Sequence, residues 1–65
     1  MISVADRVYY ARVVKHRLRR AELRVLIDEA PSAIVRGELE TELAATIIAH
    51  SIARADLMDR IGMPR

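Results

Sequence analysis

The sequence has no cysteine, tryptophan or phenylalanine among its 65 residues, and only two glycines and two prolines. Without cysteine, disulfide bonds and thiolate metal sites are excluded. A core alone rarely contributes more than about 3–5 kcal/mol in chains below about 70 to 80 residues. The two histidines give little support for a structural metal. We therefore expect no cofactor, and stabilisation by association with another chain.

No long hydrophobic run is present either. The longest uncharged stretch, residues 43–53, is far shorter than the roughly 20 residues that span a bilayer. Asp6 and Arg7 stand where a signal peptide requires an apolar core. We expect a cytoplasmic protein with no membrane partner, for which the lack of cysteine is also typical.

The first half of the chain has the composition of one long helix. Residues 3–30 contain neither glycine nor proline and are rich in alanine, leucine, arginine and glutamate, which favours helix throughout. Ser3 is suited to cap the first turn through its hydroxyl oxygen. Ala30 precedes Pro31 and is therefore biased away from the helical region. We expect the chain to turn near Pro31.

A second helix is predicted after this turn. Ser32 can cap it, and Gly62 provides a conventional stop signal. Gly37 costs about 1 kcal/mol relative to alanine in a helix interior, so it is expected to kink the helix or to separate a short turn over residues 32–36. The fold predicted for residues 1–65 is a single all-α domain, a helical hairpin of two long antiparallel helices.

The second helix carries two apolar stripes on roughly opposite sides, and one hairpin partner covers only one of them. Leaving the other stripe exposed would keep large aliphatic side chains in water, although the burial of each one stabilises a protein by about 1.5–3 kcal/mol. We therefore expect two hairpins to dimerise into a four-helix bundle by two-fold symmetry. The predicted oligomer interface comprises Ala45, Ile48, Ala49, Ile52 and Ala53.

The first helix also has two seams. The more apolar one is heptad-like, as is typical of helix packing, and the weaker one is interpreted as a partly covered rim. The heptad-like seam contains Val4, Ala11, Val14, Leu18, Ala21 and Val25. The weaker seam contains Tyr9, Val13, His16, Arg20, Leu23 and Ile27.

Positive charge is concentrated in the first helix. Seven basic residues and one acid lie between Arg7 and Arg24, a local charge of +6, whereas residues 31–65 carry −1. The basic side chains either dock on nucleic-acid phosphates or an acidic protein, or form a solvated face that is partly neutralised across the hairpin. The expected ion pairs are Arg7 with Asp56, Arg20 with Glu42, and Arg24 with Glu38 or Glu40. The candidate anionic-partner surface has two ridges, one of Arg17, Arg20 and Arg24 and one of Arg12, Lys15 and Arg19.

Catalytic and metal motifs are missing from the pattern. There is no glycine-rich phosphate loop, no cysteine nucleophile and no candidate triad. His16 and His50 are predicted to lie within about one helical turn of each other across the hairpin, but they lack the companion ligands of a metal site. His50 is expected to be a structural histidine at an interface, suited to tune assembly with pH.

The function expected from these features is that of a small non-enzymatic homo-oligomer. It would serve as a protein–protein interaction, assembly or regulatory factor of a bacterium or phage. One alternative is a nucleic-acid-binding module that resembles Rop in architecture and uses the basic first helix. Another is a small helical subunit of a larger hetero-complex.

Overall fold

The computed structural model describes residues 3–62, which form two α-helices, α1 (Val4–Asp28) and α2 (Ala33–Ile61). The helices pack against each other as an elongated antiparallel hairpin with Cα extents of 47 × 18 × 13 Å. No strand occurs within residues 3–62. Neither helix, over its described length, is sufficiently long and apolar to span a membrane. The predicted all-α hairpin is confirmed.

Serine side chains cap the start of both helices. Ser3 Oγ accepts the backbone N–H of Asp6 at 3.1 Å, and Ser32 Oγ accepts that of Val35 at 3.2 Å. Each bond satisfies an amide that the first turn of a helix leaves without an intrahelical partner. α2 ends at Gly62, whose φ of +71° is a left-handed conformation that glycine adopts without steric cost. The predicted caps are confirmed.

The helix α2 is more continuous than expected. It runs without interruption from Ala33 through Gly37, so of the two alternatives the separate turn over residues 32–36 is excluded. No atom beyond the local helix backbone lies within 4 Å of the place where a Cβ would stand at Gly37. The glycine therefore meets no close neighbour there, and its cost of about 1 kcal/mol is small enough for a packed helix of 29 residues to absorb.

The core between the helices is small and partly polar. Leu23 is fully buried, Ala53 is 7% exposed, and the polar side chains of Thr46 and His50 are also buried. Thr46 Oγ1 donates to the carbonyl oxygen of Glu42 at 2.8 Å within its own helix, which satisfies the buried hydroxyl. These four are the buried side chains of the described chain, so the hairpin has little apolar burial of its own.

The weaker seam of α1 is the one that faces α2. Leu23 is its most buried member, and the others are partly buried. The heptad-like seam points away, with Leu18 61% exposed and Val25 55% exposed. This rotation of α1 brings Arg20 of the inward seam into contact with His50 of α2. Apolar periodicity takes no account of polar contacts, and it therefore indicated the heptad-like seam as the packed one.

Candidate interaction surfaces

The side of α2 that faces away from α1 is an apolar surface that the hairpin leaves uncovered. Ile48 is 61% exposed and Ile52 is 57% exposed. Ile48 lies two residues after the buried Thr46, and therefore about 160° round a helix that turns about 100° per residue. We call this surface the outer α2 face, and its residues are Ile34, Ala45, Ile48 and Ile52.

The structure places the predicted interface residues in different surroundings. Ala45, Ile48 and Ile52 are exposed and belong to the outer α2 face, while Ala49 is partly buried beside it. Ala53 lies inside the hairpin with only 7% of its surface exposed. Its methyl group therefore packs within the hairpin core and offers little area to a second molecule.

A second uncovered apolar surface lies on the side of α1 away from α2. Val14 is nine residues from the buried Leu23, and so about 180° round the helix from it. Tyr10, Ala11, Val14 and Leu18 contribute to the lining of an open depression of about 850 Å³ on this side. We call it the outer α1 face, and its residues are Val4, Tyr10, Ala11, Val14, Leu18 and Val25.

The basic side chains of the predicted anionic-partner surface lie in two rows, which flank this outer α1 face except at Arg20, a member of the inward seam. Arg17, Arg20 and Arg24 line one shallow depression of about 240 Å³. Residues five apart on a helix, such as Arg12 and Arg17 or Arg19 and Arg24, are separated by about 140°. The row of Arg12, Lys15 and Arg19 therefore lies on the other flank, and the six cations do not form one continuous patch.

Three of the six cations are engaged within the hairpin. Arg19 forms ion pairs with Glu22 on its own helix and with Glu42 on α2. The guanidinium of Arg12 lies 5.2 Å from the centroid of the Tyr9 ring, which is within cation–π range. Arg20 contacts His50 of α2. Within residues 3–62, the members of the two rows without an ion pair, a ring contact or a side-chain hydrogen bond are Lys15, Arg17 and Arg24.

The ion pairs across the hairpin differ from those expected. Glu42 pairs with Arg19 and not with Arg20, because Arg20 belongs to the seam that turns inward. A second pair joins Arg60 to Asp6 at 3.1 Å. The expected pairs of Arg7 with Asp56 and of Arg24 with Glu38 or Glu40 are absent from the described part of the chain.

His50 is buried between the helices with a cation as its nearest polar neighbour. Its Nδ1 lies 2.9 Å from Nη1 of Arg20. A guanidinium has no acceptor, so Arg20 donates and the imidazole is neutral with its proton on Nε2. Burial is the main cause that lowers the pKa of His50 below 6.5, and the positive charge of Arg20 is the next. Smaller contributions in the same direction come from Arg54, His16 and Arg17.

The open end of the hairpin is tied by an ionic and aromatic cluster. Arg60 Nε donates to Asp6 Oδ1 at 3.1 Å, and the Arg60 guanidinium lies 4.9 Å from the centroid of the Tyr9 ring. Hydrogen bonds from Arg60 and Ser3 lower the pKa of the Asp6 carboxyl below its ordinary value of 3.8. The cluster links the last turn of α2 to the first turns of α1.

Sequence reasoning missed the direct contact of Arg20 with His50. A signal was present, because Arg20 and His50 lie one turn from the apolar residues Leu23 and Ile47, and a polar side chain that is buried there needs a partner. The expected pair of Arg20 with Glu42 requires Arg20 at the rim of the hairpin, whereas its side chain turns inward to His50. The cluster of Asp6, Tyr9 and Arg60 was also missed, because tyrosines at the rim of a helical hairpin are common and have no characteristic spacing.

The described surfaces offer apolar contact area and guanidinium groups, which are the means by which proteins bind other macromolecules. Within residues 3–62, no group of three or more histidine, aspartate and glutamate side chains could hold a metal ion. No protein-family model matches this chain, and neither a curated protein nor a solved structure is similar to it at a significant level.

Proposed function

We propose that this protein is a self-associating, non-enzymatic helical module that acts in the cytoplasm as an assembly or regulatory factor. The observation that carries the proposal is the outer α2 face, where Ile48 and Ile52 are more than half exposed. Burial of each such side chain contributes about 1.5–3 kcal/mol. Among residues 3–62, Leu23 is the one large side chain that the hairpin fully buries, so association supplies the apolar burial that folding alone lacks.

The smallest assembly that covers the outer α2 face contains two hairpins and therefore four helices. Ala45 and Ala49 stand one turn apart on α2, and their small side chains allow a second helix to come close. The cationic rows of α1 stay available at the margins of such an assembly. An acidic protein surface is the partner that their charge suits.

Sedimentation velocity of the full chain tests self-association. We expect the wild type to sediment as a dimer or a larger species at micromolar concentration. Ile48→Glu is expected to weaken association by about 100-fold or more, because it places an unpaired carboxylate in an apolar contact. The far-UV circular dichroism of the variant should stay helical, since Ile48 is 61% exposed in the hairpin.

Arg54→Glu is the matched control. Arg54 is exposed on α2 but lies two residues after Ile52, about 160° round the helix. This variant should keep the wild-type assembly. A wild-type protein that remains monomeric at about 100 μM contradicts the proposal. If the protein instead aggregates unless it is expressed with another chain, the subunit of a hetero-complex is the better description.

Nucleic-acid binding is a second candidate, favoured by the shallow depression that three arginines line on α1. Arg17 and Arg24 have no ion pair among the described residues. We expect binding to mixed-sequence duplex RNA or DNA at about 50 mM salt, with log affinity falling by about 0.9 per phosphate contact for each unit of log salt for B-DNA. Arg17→Glu with Arg24→Glu should abolish it, and Arg36→Glu on α2 should not. Undetectable binding at low salt removes this candidate.

A further inference from the structure

The outer α1 and outer α2 faces lie on opposite sides of the hairpin. Val14 is about 180° from Leu23 on α1, and Ile52 is about 160° from His50 on α2. In a bundle of four helices around one core, the two neighbours of each helix stand at about 90° to each other. The apolar surfaces of this hairpin are opposed rather than adjacent. They are therefore suited to a layer, in which hairpins stack side by side.

Glu22 lines the outer α1 face but is paired with Arg19, and the bordering charges without an ion pair within residues 3–62 are of opposite sign on the two faces. Lys15 and Arg17 flank the outer α1 face and have no ion pair within the described residues. Glu38 lies seven residues before Ala45, and Asp56 lies four residues after Ile52, so both carboxylates border the outer α2 face.

The helices as a whole show the same asymmetry. α1 has seven basic and three acidic residues, a charge of +4. α2 has three basic and five acidic residues, a charge of −2. Pairing α1 with α1 across a contact would set cations beside cations, and pairing α1 with α2 sets cations beside carboxylates, which is the favourable arrangement.

We propose that the outer α1 face of one molecule docks on the outer α2 face of a second copy, head to tail. This inference rests on the self-association proposed above and specifies which surfaces meet. When copies stack in the same orientation, α1 of one molecule lies antiparallel to α2 of the next. The helices are then antiparallel at every contact, as they are within each hairpin. Each stack leaves one outer face of each kind at its ends, so assembly continues beyond two copies as a filament or until a ring closes.

Two variants test the inference, because each blocks one face. Leu18→Glu blocks the outer α1 face and Ile48→Glu blocks the outer α2 face, and the two residues are matched at 61% exposure. Each variant alone is expected to be monomeric, since every contact needs one face of each kind. In an equimolar mixture, the intact α2 face of Leu18→Glu meets the intact α1 face of Ile48→Glu. The mixture should form a 1:1 heterodimer that cannot extend.

Light scattering coupled to size-exclusion chromatography measures the molecular mass of the wild type, of each variant and of the mixture. The wild type should be larger than a dimer, and its association should weaken about 10-fold or more when salt rises from about 50 to 500 mM. Circular dichroism establishes that both variants remain helical. If either glutamate variant unfolds, Leu18→Ser and Ile48→Ser form the replacement pair, with the same pattern of masses expected.

Several results overturn the head-to-tail contact. If Leu18→Glu remains a homodimer, the contact is a two-fold one between outer α2 faces, and the proposed self-association survives without this inference. A wild type that stops at the dimer, or a mixture that stays monomeric, also overturns it. A monomeric wild type overturns both the inference and the proposed function.

Discussion

Leu23→Ala is expected to leave the hairpin largely unfolded at room temperature. Leu23 is the one large side chain of the described residues that is completely buried. Replacing a buried leucine by alanine costs about 2–5 kcal/mol, because the lost contacts leave a cavity. A chain of this length has about 3–5 kcal/mol of core stabilisation to lose. Urea unfolding followed by circular dichroism at micromolar concentration measures the change.

Leu26→Ala is the control for this experiment. Leu26 lies less than one turn from Leu23 on the same helix and is 38% exposed, so the same chemical change removes less buried area. We expect it to cost about 1 kcal/mol or less. Equal losses for the two variants would mean that the packing between α1 and α2 is not the main source of stability and that contacts between molecules dominate.

Acidification from pH 7 to about pH 5 is expected to lower the free energy of unfolding through His50. Its folded-state pKa is lowered below the ordinary value of 6.5 by burial and by Arg20, so the unfolded chain takes up a proton more readily than the folded one. The contribution of neutral His50 is complete above pH 6.5. It falls as the pH drops through 6.5 toward the lower folded-state pKa. Protonation would set a second cation 2.9 Å from the Arg20 guanidinium.

Two glutamine variants separate His50 from other groups. His50→Gln keeps an oxygen that can accept from Arg20 but does not titrate, so its stability should be nearly level between pH 7 and pH 5. His16→Gln should retain most of the wild-type loss. Asp6 contributes at lower pH, because its pKa is lowered from 3.8 and its stabilisation is present above that value. An undiminished acid loss in His50→Gln would assign the effect to another residue.

The sequence alone predicts the hairpin because its start and stop signals are local. Ser3 and Ser32 bond to amides three residues ahead, and Gly62 takes the left-handed conformation that ends α2. None of these interactions depends on which way a helix is rotated. The free-energy cost of Gly37 is also local, and it is smaller than the stabilisation that the rest of the long helix α2 contributes.

The rotation of α1 could not be predicted from apolar periodicity. Leu18 and Leu23 each belong to a regular seam, and a count of aliphatic residues favours the seam of Leu18. The observed packing turns Leu23 inward together with Arg20, whose guanidinium has His50 to contact. The outer α2 face was predictable, because Ile48 and Ile52 are apolar on a side that one partner cannot reach. The burial of Ala53 was not predictable, because a methyl group fits both the core of the hairpin and the outer α2 face.

The contact between Arg20 and His50 has a consequence for the alignment of the two helices along their length. A slip of one helical turn, about 5.4 Å, would bring the guanidinium opposite Thr46 or Arg54 in place of the imidazole. Aliphatic and alanine side chains alone would tolerate such a shift, because they mesh in several positions. Opposite Arg54 the partly buried guanidinium would face a second cation, and opposite Thr46 it would meet a hydroxyl in place of the imidazole nitrogen, so either shift would cost it the contact with His50. The contact between Arg20 and His50 thus favours one alignment of the two helices along their length.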